Sequence, residues 1–309
     1  MNPLRMALFA LLACALVQRA GASVLVDDAG RRVAFERPVQ RVITLAPNLT
    51  EFVYAVGAGA TLVGTVDTSD YPVPATQVPR IGDYQRLDVE RILGLKPDVI
   101  LVWYHGNQGR ELEQLQAAGL RLFYLEPRRL DDVARTLERV GTLLGRDQAG
   151  RESAAHFRAQ VEILRSRYAG APPVTVFFQV WAQPLMTLND QHLTSDLLAL
   201  CGGRNVFGGL SALAPQISVE SVVAANPQAI FTASESHGDA PRWRRDPQRP
   251  AFERWQRFGD MQAVRHGWLF SVPGDLVTRQ GPRAIEGAQA VCAALDQVRA
   301  ERGAGRTGS

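Results

Sequence analysis

The amino-acid sequence predicts an α/β protein: two lobes of mostly parallel sheet flanked by helices, joined by one long α-helix. Three observations carry that expectation. Short apolar segments alternate with helical or turn-rich stretches, the pattern of strands joined by crossovers and covered on both faces. A helix-stop-strand unit occurs twice, at an offset of 130 residues. Between the copies runs a single helical stretch with no internal break. A chain of 309 residues with 46% apolar content has room for two cores of ordinary size. The expected organisation is a leader over residues 1–22, an N-terminal lobe over 23–146, a linker helix over 147–170 and a C-terminal lobe over 171–309.

The chain opens with Met1-Asn2-Pro3-Leu4-Arg5, an apolar run over 6–17, and Ala20-Gly21-Ala22 before Ser23. A basic start, a short apolar stretch and a small-residue cleavage site read as a secretory signal peptide. A membrane anchor needs about 20 consecutive apolar residues, and this run is too short. Lipid attachment at Cys14 is the weaker alternative, because Leu12 is unusual in such a box. Export implies a periplasmic protein.

Strands are expected at 41–45, 61–66, 99–103 and 120–125 in the first half. A helix at Glu111 ends at Gly119, and another from Asp131 carries Val133, Leu137, Val140 and Leu144 on one face. The linker, 147–169, places Ala154, Phe157, Val161, Leu164 and Tyr168 at steps of three and four, and Gly170-Ala171-Pro172-Pro173 stops it. At ~1.5 Å per residue such a helix spans about 35 Å, the width of a small domain, and would join two lobes stiffly. The second half repeats the plan, with strands at 174–180, 229–232 and 268–272 and a closing helix over 282–299.

The two copies of the repeat are Leu87-Asp88-Val89-Glu90-Arg91-Ile92 through Pro97 to Ile100, and Ile217-Ser218-Val219-Glu220-Ser221-Val222 through Pro227 to Ile230. Asp88 and Ser218 stand where an N-cap belongs, and Glu90 and Glu220 fall in the first turn, where the helix dipole favours a carboxylate. A looser pair, residues 50–57 and 195–202, gives two short helices capped at Asn48 or Thr50 and at Ser195, each ended by glycine.

Loss of the leader removes Cys14 and leaves Cys201 and Cys292, an even number in an oxidising compartment. A disulfide between them is expected, with two separate buried thiols as the alternative; it would close a loop that stabilises the fold by about 4 to 5 kcal/mol in the chain-entropy model. Arg5 and Arg19 leave with the leader too, so the formal charge falls from +3 to +1. The cluster Arg242, Arg244, Arg245 and Arg249 is interrupted by proline and aspartate and reads as solvated surface. No nucleic-acid partner is expected.

Catalytic motifs are missing. The sequence holds no phosphate-binding P-loop, no H-E-x-x-H pair and no G-x-S-x-G elbow, so no catalytic residues are assigned and an exported hydrolase is a weak alternative. Gly57-Ala58-Gly59 closes a helix and reads as a turn. The histidines, His105, His156, His192, His237 and His266, stand singly without metal-ligand spacing, so no metal site is expected and a metal sensor would require their convergence in space. Asn48-Leu49-Thr50 matches a glycosylation acceptor, but a helix start explains it. Tyr71, Tyr84, Trp103, Tyr104 and Trp181 lie at strand ends or in the loops after them, where open parallel sheets bind ligands.

Taken together, Arg41-Val42-Ile43-Thr44-Leu45-Ala46-Pro47, Ser69-Asp70-Tyr71-Pro72, Val89-Glu90-Arg91-Ile92 with Leu95-Lys96-Pro97-Asp98, Cys201-Gly202-Gly203 with Asn205 and Phe207, Pro215-Gln216-Ile217-Ser218 and Gly281-Pro282-Arg283 resemble the iron-siderophore and cobalamin solute-binding proteins of ATP-driven uptake, their cobalamin-binding branch above all. The resemblance covers nearly the whole chain after the leader. It implies two α/β lobes bridged by one helix, a Cys201–Cys292 disulfide, a corrinoid such as cobalamin carried as ligand without any cofactor, a monomer, and an ABC permease dimer as partner. Ligand positions map to Thr68, Tyr84 and Trp103 in the first lobe and to Asp275, Leu276, Val277, Thr278 and Arg279 in the second, with Tyr71 and Trp181 as further aromatic walls. The resemblance also implies docking to the permease through Glu90 and Glu220, one carboxylate per lobe, which suits a two-fold partner. The chain departs from the family pattern at Thr68, at Tyr84 in place of tryptophan and at Ala214, and this loss of aromatic wall keeps a corrinoid precursor, haem or an iron siderophore as alternative ligands.

Overall fold

The computed structural model describes residues 23–37, 39–83, 86–107, 109–234 and 243–307. The leader with Cys14, as well as Tyr84, His237 and Arg242, lies outside the described residues. No described helix is long and apolar enough to cross a membrane.

Two separate parallel sheets form the two lobes. In the first, β3 (Val42–Thr44), β4 (Leu62–Thr65), β5 (Val99–Trp103) and β6 (Leu122–Leu125) lie in the order β4-β3-β5-β6. In the second, β7 (Val174–Gln179), β10 (Gly203–Asn205), β11 (Ala229–Ser234) and β13 (Leu269–Pro273) lie in the order β10-β7-β11-β13, with β12 (Arg244–Arg245) added antiparallel at the edge. Numbered within each lobe, both sheets run second-first-third-fourth. The repeat is therefore a repeat of topology: α2 (Val89–Gly94) leads into the third strand of one sheet and α7 (Val219–Ala225) into the third strand of the other.

The caps behave as their side chains require. Asp88 accepts the Arg91 N–H at 2.9 Å and Ser218 the Ser221 N–H at 3.1 Å. At the looser pair the caps differ from expectation. Helix α1 (Pro47–Ala55) starts at Ala46 because Pro47 has no N–H to leave unsatisfied, so Asn48 and Thr50 lie inside it, and Asn48 is buried. Helix α6 (Leu193–Leu200) is capped by the His192 ring, which accepts the Thr194 N–H at 3.1 Å, leaving the Ser195 hydroxyl for Asn205.

The bridge is α5 (Asp147–Tyr168), one helix that buries Gly150, Ala154, Phe157, Val161, Leu164 and Tyr168 along one face. It packs on α4 (Leu130–Leu143) at a glycine contact: a methyl group on Gly150 would sit 2.8 Å from the Leu137 carbonyl oxygen and 2.9 Å from the Gly141 Cα. One apolar core runs from Val42 and Phe123 in the first lobe through Phe157 and Val161 to Phe178 and Phe231 in the second. The opposite face of each sheet has its own cluster, around Ile43 and Ile100 in one lobe and around Phe177 and Trp255 in the other.

Cys201, at the end of α6, is bonded to Cys292 on α11 (Ala284–Thr307), with Cα atoms 4.9 Å apart. That last helix begins after Pro282 and runs beyond residue 299, because Glu301 accepts the Trp268 indole N–H at 2.7 Å and pairs with Arg245 at 2.5 Å. The expected strand over 120–125 starts at Leu122. Leu120 is consumed in closing α3 (Arg110–Ala117), its N–H bonded to Leu115 O after Gly119 turns at positive φ. An antiparallel hairpin of β1 (Ser23–Val26) and β2 (Arg32–Phe35) adds to the elements the sequence predicts; Asp27 fastens it, accepting from Arg31 and from the Tyr124 N–H.

Candidate ligand-binding cleft

The carboxyl ends of both sheets and the loops after them meet between the lobes. In each sheet the order reverses between the first and third strands, so each lobe places its switch point there. From the first lobe come Leu45 and Ala46 after β3, the 66–72 loop after β4, and Trp103 at the end of β5. From the second comes α10 (Gly274–Val277) with the turn to Gly281.

The 66–72 loop stands on a buried cluster of hydroxyls. Thr44, Thr50, Thr65 and Ser69 are at most 0% exposed, and their oxygens lie 2.7 to 3.0 Å apart. Arg80 adds hydrogen bonds to the carbonyls of Val66 and Ser69. On this loop Thr68 is exposed and Tyr71 is 45% exposed, with the Arg283 guanidinium 4.0 Å from its ring centre.

Trp103 is held on three sides. Its backbone N–H donates to Asn107 Oδ1 at 2.8 Å, and Asn107 in turn donates to Leu45 O. Gly106 lies flat against the indole, where a methyl group would fall 1.8 Å from Cε3. The indole N–H donates to Gln280 Oε1 across the cleft at 3.0 Å, and Gln280 Nε2 sits 3.1 Å from His192 Nε2. Burial, with a smaller push from the Arg128 charge, lowers the His192 imidazole from 6.5 to about 4, so the ring is neutral at neutral pH. Its Nδ1 accepts from Thr194, which puts its proton on Nε2. As placed, the Gln280 amide turns its oxygen to the Trp103 indole and its NH2 to His192 Nε2, and turning the amide over would give that oxygen to the His192 ring instead.

Beside this contact the lobes are joined by ions. Arg283 donates to both oxygens of Glu51, at 2.7 and 3.0 Å, and to Asp275 at 2.9 Å. Arg279 donates to both oxygens of Asp70, at 2.5 and 3.1 Å, and lies 3.5 Å from Glu51. Burial raises the Glu51 carboxyl above its ordinary value, against the pull of Arg283. Burial would raise Asp70 as well, but the hydrogen bonds and charge of Arg279 outweigh it and hold that carboxyl low. Near the linker, Asp196 of α6 accepts from the Leu130 N–H at 2.8 Å and from Arg129 at 3.0 Å, so one carboxylate serves the first turns of two helices from opposite lobes.

Of the residues expected at the site, Tyr71, Trp103, Asp275 and Arg279 gather at the contact between the lobes. Leu276 and Val277 are buried, the Val277 carbonyl accepting from Thr194 Oγ1, and Thr278 bonds back to Gly274. Trp181 is 58% exposed on a two-residue hairpin, β8 (Trp181–Ala182) with β9 (Leu185–Met186), and no described hydrogen bond or ring contact links it to Tyr71 or Trp103. Glu90 and Glu220 are exposed in equivalent first turns; the helix-start backbone and the Ser218 hydroxyl hold Glu220 low. The described histidines do not converge: His156 is exposed on α5, His266 stacks on Trp268, and His105 pairs with Glu126 beside Arg128. Among the described residues no group of three or more metal-ligating side chains occurs. Sequence reasoning missed Glu51, Asp70, Gln280 and Arg283 as cleft residues; Gly281-Pro282-Arg283 carried the signal without the partner.

The family model for periplasmic binding proteins matches residues 42–276. The chain belongs to that family. Relatives agree: the vitamin B12-binding protein of Vibrio cholerae serotype O1 is 33% identical over 258 residues, 84% of this chain and 90% of the relative, and that of Yersinia pestis is 40% identical over 194 residues, 63% and 69%. Among solved structures, the periplasmic vitamin B12-binding protein of Vibrio cholerae superposes with a TM-score of 0.73 at 32% identity, covering 85% of this chain and 98% of its own. A periplasmic haem-binding protein from Pseudomonas aeruginosa gives 0.69 at 26% identity, covering 83% and 92%. This periplasmic binding protein thus has the two-lobe fold of its relatives.

Proposed function

We propose that this chain is the substrate-binding component of an ABC importer, which holds cobalamin or a related corrinoid between its lobes and presents it to a permease dimer. It acts by binding, in the periplasm, after loss of residues 1–22. The observation that carries the reading is the likeness, over most of both chains, to relatives that bind vitamin B12. The cleft suits it: Tyr71 and Trp103 offer aromatic faces, and Arg279 with Asp275 faces them from the second lobe. Thr68, Tyr84 and Trp181 are the further ligand positions. Glu90 and Glu220, repeated on equivalent helices, serve as docking carboxylates for the two-fold partner.

Calorimetric titration of the purified protein with cyanocobalamin and with cobinamide should give one-to-one binding; heat from neither removes the corrinoid assignment. Haem is the competing ligand, given the Pseudomonas aeruginosa structure, and absorbance of the purified protein separates the two. Lysine at both Glu90 and Glu220 should weaken permease association while ligand affinity stays unchanged.

A further inference from the structure

The polar side chains where the lobes touch are already committed to one another. Arg283 is taken by Glu51 and Asp275, and Arg279 by Asp70 and Glu51. Three carboxylates, Glu51, Asp70 and Asp275, meet these two guanidiniums, so neither arginine stands without an acid partner. Glu51 is 3% exposed, and a buried carboxylate stripped of its guanidinium is strongly unfavourable. A ligand carboxylate entering here faces a choice of two penalties. It can leave both arginines paired and lie against the carboxylates that hold them, or it can displace Asp70 from Arg279 and remain beside the carboxylate it displaced. The one polar atom here without a partner among the described residues is different in kind. Asn48 Nδ2, one turn before Glu51 on α1 and beside Gly281, is a neutral donor that calls for a carbonyl oxygen.

We propose that Asp70 and Glu51 set the ligand class of this cleft, by occupying Arg279 and Arg283 so that a ring with neutral, amide-bearing edges is accepted and one with carboxylate edges is turned away. The inference rests on the corrinoid reading and narrows it to the amidated forms. It separates this cleft from one built to hold a dicarboxylate such as haem, where the same guanidiniums would stand free for the ligand.

The test compares corrin rings that differ chiefly in whether their edge groups are amides or carboxylates, titrated into the purified protein and its Asp70→Asn variant. Asp70 is half-exposed, and the variant keeps the side-chain shape. Dicyanocobinamide should bind at least about tenfold more tightly than dicyanocobyrinic acid, which carries carboxylates where the former has amides, and Asp70→Asn should close most of that gap by strengthening the acid form. Equal binding of the two by the unaltered protein overturns the proposal, as does an unchanged gap in a variant that melts at the unaltered temperature. Should neither corrinoid bind, the corrinoid reading falls, and haemin against its dimethyl ester decides the charge question separately. A preference for the ester that Asp70→Asn reduces supports the selectivity; equal affinities, or no tetrapyrrole bound at all, overturn it.

Discussion

The two lobes share one strand order and differ in what their equivalent ends bring to the cleft. The first lobe follows its first strand directly with α1 and supplies Glu51 and Asp70; the second inserts the Trp181 hairpin after its first strand and supplies Arg279 and Arg283 from the end of its fourth. The first lobe has no covalent staple among its described residues, whereas the second ties α6 to α11 by a disulfide. Duplication of a frame therefore fixes where the loops meet, but not what they carry. Opposite charges, carried after different strands of the two sheets, turn two similar lobes into complementary halves.

Removing the acidic half of that complement should have the largest effect. Glu51→Ala leaves Arg283 partly buried beside a missing partner and should lower stability by about 3 to 5 kcal/mol in urea unfolding, while methionine at both Glu51 and Arg283 should recover most of the loss. A double variant as unstable as the single one would show that the ion pair is not the cause. Next comes the staple, which belongs to one lobe only. Serine at both Cys201 and Cys292 should cost about 2 to 5 kcal/mol, and reductant should reproduce it in the unaltered protein.

The third prediction concerns acid, and its sign follows from His192. The folded protein keeps this imidazole neutral down to about 4, whereas the unfolded chain protonates it near 6.5. The stability it contributes is complete above 6.5 and is lost as pH falls toward 4, by about 3 kcal/mol. Thermal melts across that window should be flatter for His192→Asn, which keeps a capping side chain at the start of α6. A smaller effect tests the bridge between the lobes. Gly150→Ala drives a methyl group toward the Leu137 carbonyl oxygen, which should destabilise by about 1 to 3 kcal/mol without altering either lobe's own sheet; an unchanged melting temperature would mean the helices part easily.

Much of the frame was legible from local pattern. The linker's buried face is the set of residues that its period of three and four picks out, and Asp88 and Ser218 cap where their hydroxyl and carboxylate chemistry places them. Where local reading went astray, a neighbour distant in sequence had intervened. Thr50, which the sequence offers with Asn48 as a cap, instead completes a buried hydroxyl cluster with Thr44, Thr65 and Ser69. Ser195 was displaced from the cap by His192, which is buried against Gln280 of the last loop.

By itself the sequence determined most of the elements, the duplication and the single long helix between the copies, and it offered two cysteines for pairing. Each of these depends on hydrogen bonds and apolar spacing within a few turns, or on a residue count. Only the tertiary structure decided which charges meet. Glu51 and Arg283 stand 232 positions apart, and Asp70 and Arg279 stand 209. Helical periodicity would allow Glu51 to face water; it is buried because an arginine from the other lobe arrives to pair with it, and no local pattern carries the position of that partner.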